Sequence, residues 1–415
     1  MTRILFSGGQ VYDGTTAPAA PGDVVVEDGR VVEVGTDLDG DEVVDCTGGF
    51  VSPGFFDCHV HVTLDAPSVM QIIETPFSLQ FYAAAANLAA TLATGVTTVR
   101  DAGGADLGIR TAVERGLVAG PRMQLSIIML SQTGGHGDDW GVCGGDVPFF
   151  VPHPGRPSGV VDGPDEVRRR VREIIRAGAD VIKVATTGGV LSPHDDPRHA
   201  HFRDDEIAVM VAEATAAGIS VMAHAQGAEG IKAAVRNGVR SIEHGIFLDD
   251  EAIDLMLERD AWLVPTLHAP RAVIRAAEAG LPLPAAVVAK AHDVSLAHAD
   301  SVRRAHEAGV RIAMGTDCGV GPHGTNLEEL GLMVDAGLSP LAALHATTGS
   351  AAELLGVRRD RGTLEPGARA DLVVVDGDPG DVSGLRERVR SVHLDGRRVD
   401  DRMPPRDVRP AAPDE

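Results

Sequence analysis

Apolar and polar positions change their spacing twice along the chain. Over the first ~50 residues short β-rich runs, Ile4–Phe6, Asp23–Glu27, Arg30–Val34 and Glu42–Asp45, alternate with Gly and Asp turns and predict a small antiparallel β unit. From Gly54 the pattern becomes continuous apolar runs, each followed by an Ala- and Leu-rich stretch of helical period. Eight strands are predicted: Phe55–Val62, Thr97–Asp101, Met123–Leu130, Val181–Thr186, Ser220–Ala225, Ser241–Ile246, Trp262–Thr266 and Arg311–Gly315. The helical stretches between them include Leu79–Ala93, Asp165–Ala177, Asp204–Ala217, Ala228–Asn237, Asp249–Glu258, Leu296–Ala308 and Leu327–Ala336. Several end on glycine (Gly218, Gly238, Gly309, Gly337), the usual helix stop.

Eight strands alternating with helices over ~300 residues fit a (β/α)8 barrel of the TIM type. An open doubly wound sheet is disfavoured because the first strand lacks the phosphate-binding glycine fingerprint. Beyond Leu355 short strands return, Ala370–Val375 and Val389–Leu394, and are expected to pair with the N-terminal ones. The α/β chain therefore divides into a barrel, 54–357, and a small discontinuous β-sandwich domain built from 1–53 and 358–403. The remaining tail, 404–415, is expected to fray.

Composition narrows the chemistry. With 37 Lys and Arg against 60 Asp and Glu among 415 residues, the formal charge is −23. Nucleic-acid partners are excluded, since phosphate binding needs clustered cations, and Arg168, Arg169 and Arg170 read as one solvated helix face. No run of ~18 apolar residues suggests a membrane span. Met1–Phe6 lacks the features of a signal peptide, so a soluble, cytoplasmic protein is expected. Cys46, Cys58, Cys143 and Cys318 form no CxxC pair, which argues against a thiolate zinc site. A metal would have to be held by His, Asp or Lys-derived groups.

Such groups recur at strand ends. His59 and His61, at i and i+2, share one strand face, which in a closed barrel is the interior. Lys183, His224, His244 and Asp317 follow, each at or near the end of a predicted strand. A lone buried lysine is costly to keep charged, whereas imidazole and carboxylate ligands suit zinc and similar divalent ions. Glu243, Asp101 and Thr316 are candidates to orient these ligands. Alternation sends Cys58 to the opposite face from His59, and Cys318 is expected near the mouth. One long connection, Gly134 to Gly163, carries Trp140, Phe149 and Phe150, three of 14 aromatics, and is a candidate substrate lid. His268, His323, His194, His199 and His201 fall on predicted loops at the same end and are weaker candidates for substrate contact.

In order along the chain, His59-Val60-His61, Lys183, His224, His244 and Asp317 resemble the metal signature of the amidohydrolase superfamily. The resemblance extends to Val51-Ser52-Pro53-Gly54-Phe55-Phe56-Asp57-Cys58-His59 and to the run from Gly362 to Val373 in the returning β domain. It implies two divalent ions, with zinc expected, bridged by a Lys183 carbamylated by CO2. His59, His61 and Asp317 would hold the more buried ion, His224 and His244 the other. A hydroxide bridging the ions would attack an amide carbonyl, with Asp317 as base and then acid.

Within the superfamily Thr133-Gly134-Gly135-His136-Gly137-Asp138, Lys183 to Gly189 and Ala223-His224-Ala225-Gln226-Gly227 resemble a prolidase-like and Xaa-Arg/Lys carboxypeptidase-like branch related to imidazolonepropionase. His136 would then polarise the scissile carbonyl or hold a substrate carboxylate. Gln226 departs from that branch, where an aromatic hydroxyl or histidine is common, and joins Trp140 among the expected substrate contacts. The substrate implied is a small molecule, a dipeptide or N-acyl amino acid. The alternative is a cyclic amide, urea, carbamate or other non-peptide C–N bond, cleaved by a hydrolase or deaminase. A homo-oligomer is also implied.

Overall fold

A computed structural model describes residues 2–65, 74–141, 144–192 and 195–399. Cys143, His194 and the 404–415 tail lie outside the described residues. The first strands are β1 (Ile4–Val11), β2 (Ala20–Glu27), β3 (Arg30–Gly35), β4 (Glu42–Asp45) and β5 (Gly49–Pro53). They join the C-terminal strands β15 (Leu372–Asp376), β16 (Val389–Leu394) and β17 (Arg397–Arg398) in one eight-stranded sheet of order β17-β16-β15-β5-β1-β2-β3, with β4 beside β1. The join is antiparallel, Leu372 opposite Pro53 and Asp376 opposite Gly49. β1 runs parallel to β4 and β5, so the unit is mixed rather than antiparallel throughout. Phe6, Val24, Val26, Val51, Leu372 and Val374 come together in one buried cluster, as strand alternation requires.

Between these segments lie the parallel strands β6 (Phe55–Val60), β7 (Val96–Asp101), β8 (Arg122–Leu125), β9 (Met129–Leu130), β10 (Val181–Ala185), β11 (Ser220–Gly227), β12 (Ser241–Phe247), β13 (Trp262–Val264) and β14 (Arg311–Ile312). They pair as two arcs, β6-β7-β8 and β9 to β14 in order. β7 and β10 are buried at every position, because helices cover one face and the interior the other. The predicted strand Met123–Leu130 is broken in two. Ile127 adopts φ +68°, Ser126 N donates to Asp101 O, and β8 stays with β7 while β9 pairs with β10. At the far side Cys58 N donates to Met314 O and Asp317 N to His59 O, linking β6 to the segment after β14.

The helices are α1 (Leu79–Ala93), α2 (Leu107–Glu114), α3 (Pro164–Arg176), α4 (Asp204–Ala216), α5 (Ala228–Arg236), α6 (Asp250–Glu258), α7 (His268–Glu278), α8 (Ala285–Ala308), α9 (Glu328–Asp335), α10 (Pro340–Ala346) and α11 (Gly349–Leu354). α3 shows why they form. Proline opens it, Asp165 and Glu166 occupy its first turn, and Val167, Val171 and Ile174 make a buried stripe at i, i+4 and i+7. Arg168 and Arg169 pair with Asp165 and Glu166 three residues back on a solvated face, as expected, whereas Arg170, 11% exposed, is held against Glu173 and the Ser158 carbonyl. α8 starts eleven residues before the predicted Leu296, after Pro284, with Val287, Ala291 and Val294 extending the buried stripe of its second half. Among the described residues no helix is long and apolar enough to cross a membrane.

Candidate metal centre and active site

Backbone pairing brings the six expected ligands together. In the β10–β11–β12 ladder Lys183 lies opposite Met222, His224 opposite Glu243, and Ala225 opposite His244. On the other side His61 N donates to Cys318 O, and with the Asp317–His59 bond this draws Asp317 against the end of β6. Gly315 permits that approach, since a Cβ there would come within 2.9 Å of the His59 Cβ. The ring centroids of His59 lie 5.5 Å from His61 and 5.2 Å from His244, and those of His224 and His244 are 4.5 Å apart. Lys183 Nζ is 3.3 Å from His59 Nε2. Asp317 Oδ1 lies 3.2 Å from His61 Nε2 and 3.5 Å from His59 Nε2, yet it makes no aligned hydrogen bond.

The remaining hydrogen bonds show which ring nitrogens are free. His59 Nδ1 donates to Glu243 Oε2 (2.8 Å) and His61 Nδ1 to the Gly103 carbonyl (2.8 Å). His224 Nε2 donates to the Gly188 carbonyl (3.0 Å), and His244 Nδ1 pairs with Thr266 Oγ1 (2.6 Å). An acceptor fixes the proton on the bonded nitrogen, so in neutral rings His59 Nε2, His61 Nε2 and His224 Nδ1 carry lone pairs. This is the arrangement of metal-ligating histidines, whose second nitrogen is held by a carboxylate or carbonyl. His59, His244 and Asp317 alone offer three ligand atoms within 4.8 Å of one another. The donor set fits divalent ions.

Electrostatics agree with that fit. Burial, reinforced by neighbouring cationic groups, pushes the imidazoles of His59, His224 and His244 well below the ordinary value, which keeps them neutral ligands. Burial alone would lower His61, but Asp317 outweighs it and raises the ring. For Asp317, burial alone would raise the carboxyl; His59, His61 and Lys183 outweigh it and hold the group below the usual carboxylate range. Burial lowers Lys183 to about 8 against the pull of Glu243 and Asp317.

Behind the ligands stands a fully buried charged layer. Glu243 Oε1 accepts from Arg100 (2.9 Å) and from Ser241 Oγ (2.6 Å), while Arg100 Nε donates to Cys58 O. Thr316 Oγ1 donates to Asp57 Oδ2 (2.6 Å), which also accepts from Asn326 (2.8 Å). Asp101 bonds the backbone N–H groups of Val62, Gly103 and Ala105 and so holds the segments that flank His61. Sequence reading named Glu243, Asp101 and Thr316 but missed Arg100, Asp57 and Thr266. Two adjacent charged residues, Arg100 and Asp101, at the end of one short predicted strand were the available signal for Arg100. Three ligand-bearing or ligand-holding residues, His244 (φ +76°), Thr266 (φ +53°) and Asp317 (φ +62°), sit in left-handed backbone, the strain typical of functional sites.

The six residues line a cavity of about 770 Å3. His136, Gln226 and Trp140 line it too, as do Phe149, Phe150 and other residues of the Gly134–Gly163 loop. Gln226 is 4% exposed with its Oε1 unpartnered, and Trp140 is 52% exposed. Phe150 stacks on His61 with centroids 5.4 Å apart. His298, on α8, also lines the cavity and bonds the His244 carbonyl (2.9 Å), a contact sequence reading did not anticipate.

Other expectations fail. His268 opens helix α7, is fully buried, pairs with Thr325 Oγ1 and does not line the cavity. His323 is buried between Thr91 and the His61 carbonyl and does not line the cavity. His199 is exposed and His201 buried, and neither lines the cavity; Cys318 is buried away from the mouth. Cys58 packs with Phe56, Trp262 and Ala351, off the cavity as expected.

The misplaced His268 yields a prediction. Burial depresses its imidazole to about 4 from an ordinary 6.5. Between those values the unfolded chain binds a proton that the folded chain refuses, so stability is intact above pH 6.5 and falls as the pH drops toward 4, by about 3 kcal/mol from this group. A His268→Gln variant should show a shallower fall of Tm between pH 6.5 and 4 than the wild type. Equal slopes would contradict the assignment.

Residues 50–400 match the model of the Amidohydrolase family. The chain belongs to that family. It is 35% identical over 343 residues to an ochratoxinase from Aspergillus niger, covering 79% of this chain and 70% of the relative. Among solved structures, a Xaa-Pro dipeptidase with methionine bound in its active site is 34% identical with a TM-score of 0.89, covering 96% of this chain and all of that one. A prolidase complexed with N-methylphosphonate-L-proline is 38% identical with a TM-score of 0.88, covering 96% and 99%. These structural likenesses imply the TIM-barrel fold, and the chain is accordingly an enzyme of amide-bond hydrolysis.

Proposed function

We propose that this amidohydrolase uses two divalent ions, zinc first among them, to hydrolyse the amide bond of a dipeptide or N-acyl amino acid. The observation that carries the reading is the convergence of four histidines, Lys183 and Asp317 on the floor of one cavity, with the bonded nitrogens of His59, His61 and His224 facing acceptors. His59, His61 and Asp317 would hold one ion and His224 and His244 the other. Lys183, as its carbamate, would bridge them. A lysine whose pKa has fallen to about 8 keeps a neutral amine fraction near neutral pH, and only that form adds CO2. We also propose that the two strand arcs close into one (β/α)8 barrel over 54–357, and that 1–53 and 358–403 fold together as a β-sandwich.

When bound, the ions would polarise the substrate carbonyl and bring the pKa of a bound water toward neutrality. Asp317, held ionised, accepts the proton of the attacking water and returns it to the leaving nitrogen, and the second water proton follows to that nitrogen, so that one amide and one water give a carboxylate and an ammonium. His136, on the cavity wall beside His224, faces the substrate. The aromatic loop and the wall of Val190, Ile246, Val273 and Val294 suit a bulky apolar substituent.

One observation favours a second reading. Among the described residues Lys183 is the only lysine or arginine lining the cavity, and Gln226 offers a neutral amide, so among them a free substrate carboxylate has no guanidinium partner. Cyclic amides, ureas and carbamates carry no such group. Zinc-reconstituted protein in bicarbonate buffer, incubated with a panel of dipeptides and N-acyl amino acids and read by mass spectrometry, should release free amino acid in a chelator-sensitive way. Failure to cleave any of them by a protein holding two ions would transfer the assignment to the uncharged substrates.

A further inference from the structure

The His136 ring is fixed by groups that the chemistry above does not use. It stacks on the His224 ring, centroids 4.2 Å apart and planes at 21°. The backbone of Gly189 lies so close that a Cβ there would come within 2.2 Å of His136 Cε1. Along the ring edge, Nδ1 is 2.7 Å from Ser192 Oγ, and that hydroxyl is 2.5 Å from Asp195 Oδ1. An ionised carboxylate only accepts, so the single hydroxyl proton points to Asp195 and the serine oxygen accepts from Nδ1–H of His136. The direction of the relay is thereby set.

Asp195 is itself built in. Its side chain is 4% exposed, Oδ2 accepts from Gly189 N (3.1 Å), and Oδ1 lies 3.1 Å from Lys290 Nζ. Lys290, reaching over from α8, also donates to the carbonyls of Gly189 (2.9 Å), Ser192 (2.7 Å) and Asp195 (2.5 Å). One ammonium thus ties Gly189, Ser192 and Asp195 to a long helix. A buried aspartate is seldom left without a cationic partner, and Lys290, its side chain 18% exposed, supplies one here.

We propose that Ser192 and Asp195 are positioning residues that hold His136 as its Nδ1-protonated tautomer, so that Nε2, left with its lone pair, is the one ring atom offered to the substrate and accepts from a substrate N–H, with Lys290 keeping Asp195 in place. The inference rests on the reading that His136 meets the substrate. A ring without the relay would turn, or carry its proton on either nitrogen, and present a mixture of donor and acceptor to the cavity. Misplacements of this order cost about 10- to 100-fold in rate.

Selective 15N labelling of histidine in the zinc-loaded protein reads the tautomer directly, with the His136 signals assigned by their loss in His136→Gln. Wild type should show a protonated Nδ1. Ser192→Ala should move both ring signals toward the average of exchanging tautomers, and Ser192→Thr, which keeps the hydroxyl, should restore them. Asp195→Asn, whose amide can donate to Ser192, should reverse the relay and favour a protonated Nε2. Ring signals unchanged in Ser192→Ala would overturn the proposal.

Kinetics with N-benzoyl-L-phenylalanine separate the two layers of the account. Ser192→Ala should lower kcat about 10- to 100-fold with KM and metal content little changed, and should cost nothing further in a His136→Gln background. Full activity of His136→Gln would refute the role given to His136. Loss in His136→Gln without loss in Ser192→Ala would refute the positioning role alone. If N-benzoyl-L-phenylalanine is not cleaved at all, the proposed activity fails on that substrate and the tautomer measurement decides the inference by itself.

Discussion

Asp317→Asn should lower kcat about 1,000-fold while leaving both ions in place. The carboxamide keeps an oxygen where Oδ1 now lies 3.2 Å from His61 Nε2, so a ligand atom survives. It cannot take up the proton of the attacking water, so the step that activates the nucleophile and feeds the leaving nitrogen is lost. Asparagine is the informative substitution because Asp317 sits at φ +62°, a conformation that Asn tolerates and most other side chains do not. A larger residue or alanine would confound chemistry with backbone strain. Turnover near wild type in a variant holding both ions would remove Asp317 from the proton-transfer role.

Lys183→Met should have the second large effect, on metal content before activity. Methionine has similar length and fills the same buried space without overpacking it. It has no amine to carry a carboxyl group, so nothing spans the two halves of the ligand set. Metal measured by plasma mass spectrometry should fall below one ion per chain, with hydrolysis reduced by more than about 1,000-fold. Thermal stability of the metal-free forms should not fall, because an amine buried at a desolvation cost has been replaced by an apolar chain. Retention of two ions by the variant would show that Lys183 does not bridge.

How far the sequence carried the site follows from the physics of each residue. The six candidate ligands were legible because each is a costly group at or near the end of an apolar strand, and six such groups recurring there have no bland explanation. Asp57 and Thr266 were not, since their importance lies in what they touch across the fold: Asp57 meets Thr316 and Asn326, more than 250 residues away. His268 and His323 misled because a histidine on a predicted loop reads as exposed. Helix α7 and the Thr91 contact bury them instead. The break at Ile127 was hidden because Met123–Leu130, with only Gln124 and Ser126 polar, reads as one strand, and the positive φ at Ile127 lies between β8 and β9. Helix ends were easier, and Gly218, Gly238, Gly309 and Gly337 all adopt the left-handed backbone that closes a helix.

Crystallography of the zinc- and bicarbonate-treated protein, with anomalous data collected at the zinc edge, tests the central claim most directly. Two anomalous peaks should appear among His59, His61, His224, His244 and Asp317, with added density for a carboxyl group on Lys183 Nζ lying between them. A single peak, peaks away from these residues, or an unmodified Lys183 beside two ions would contradict it.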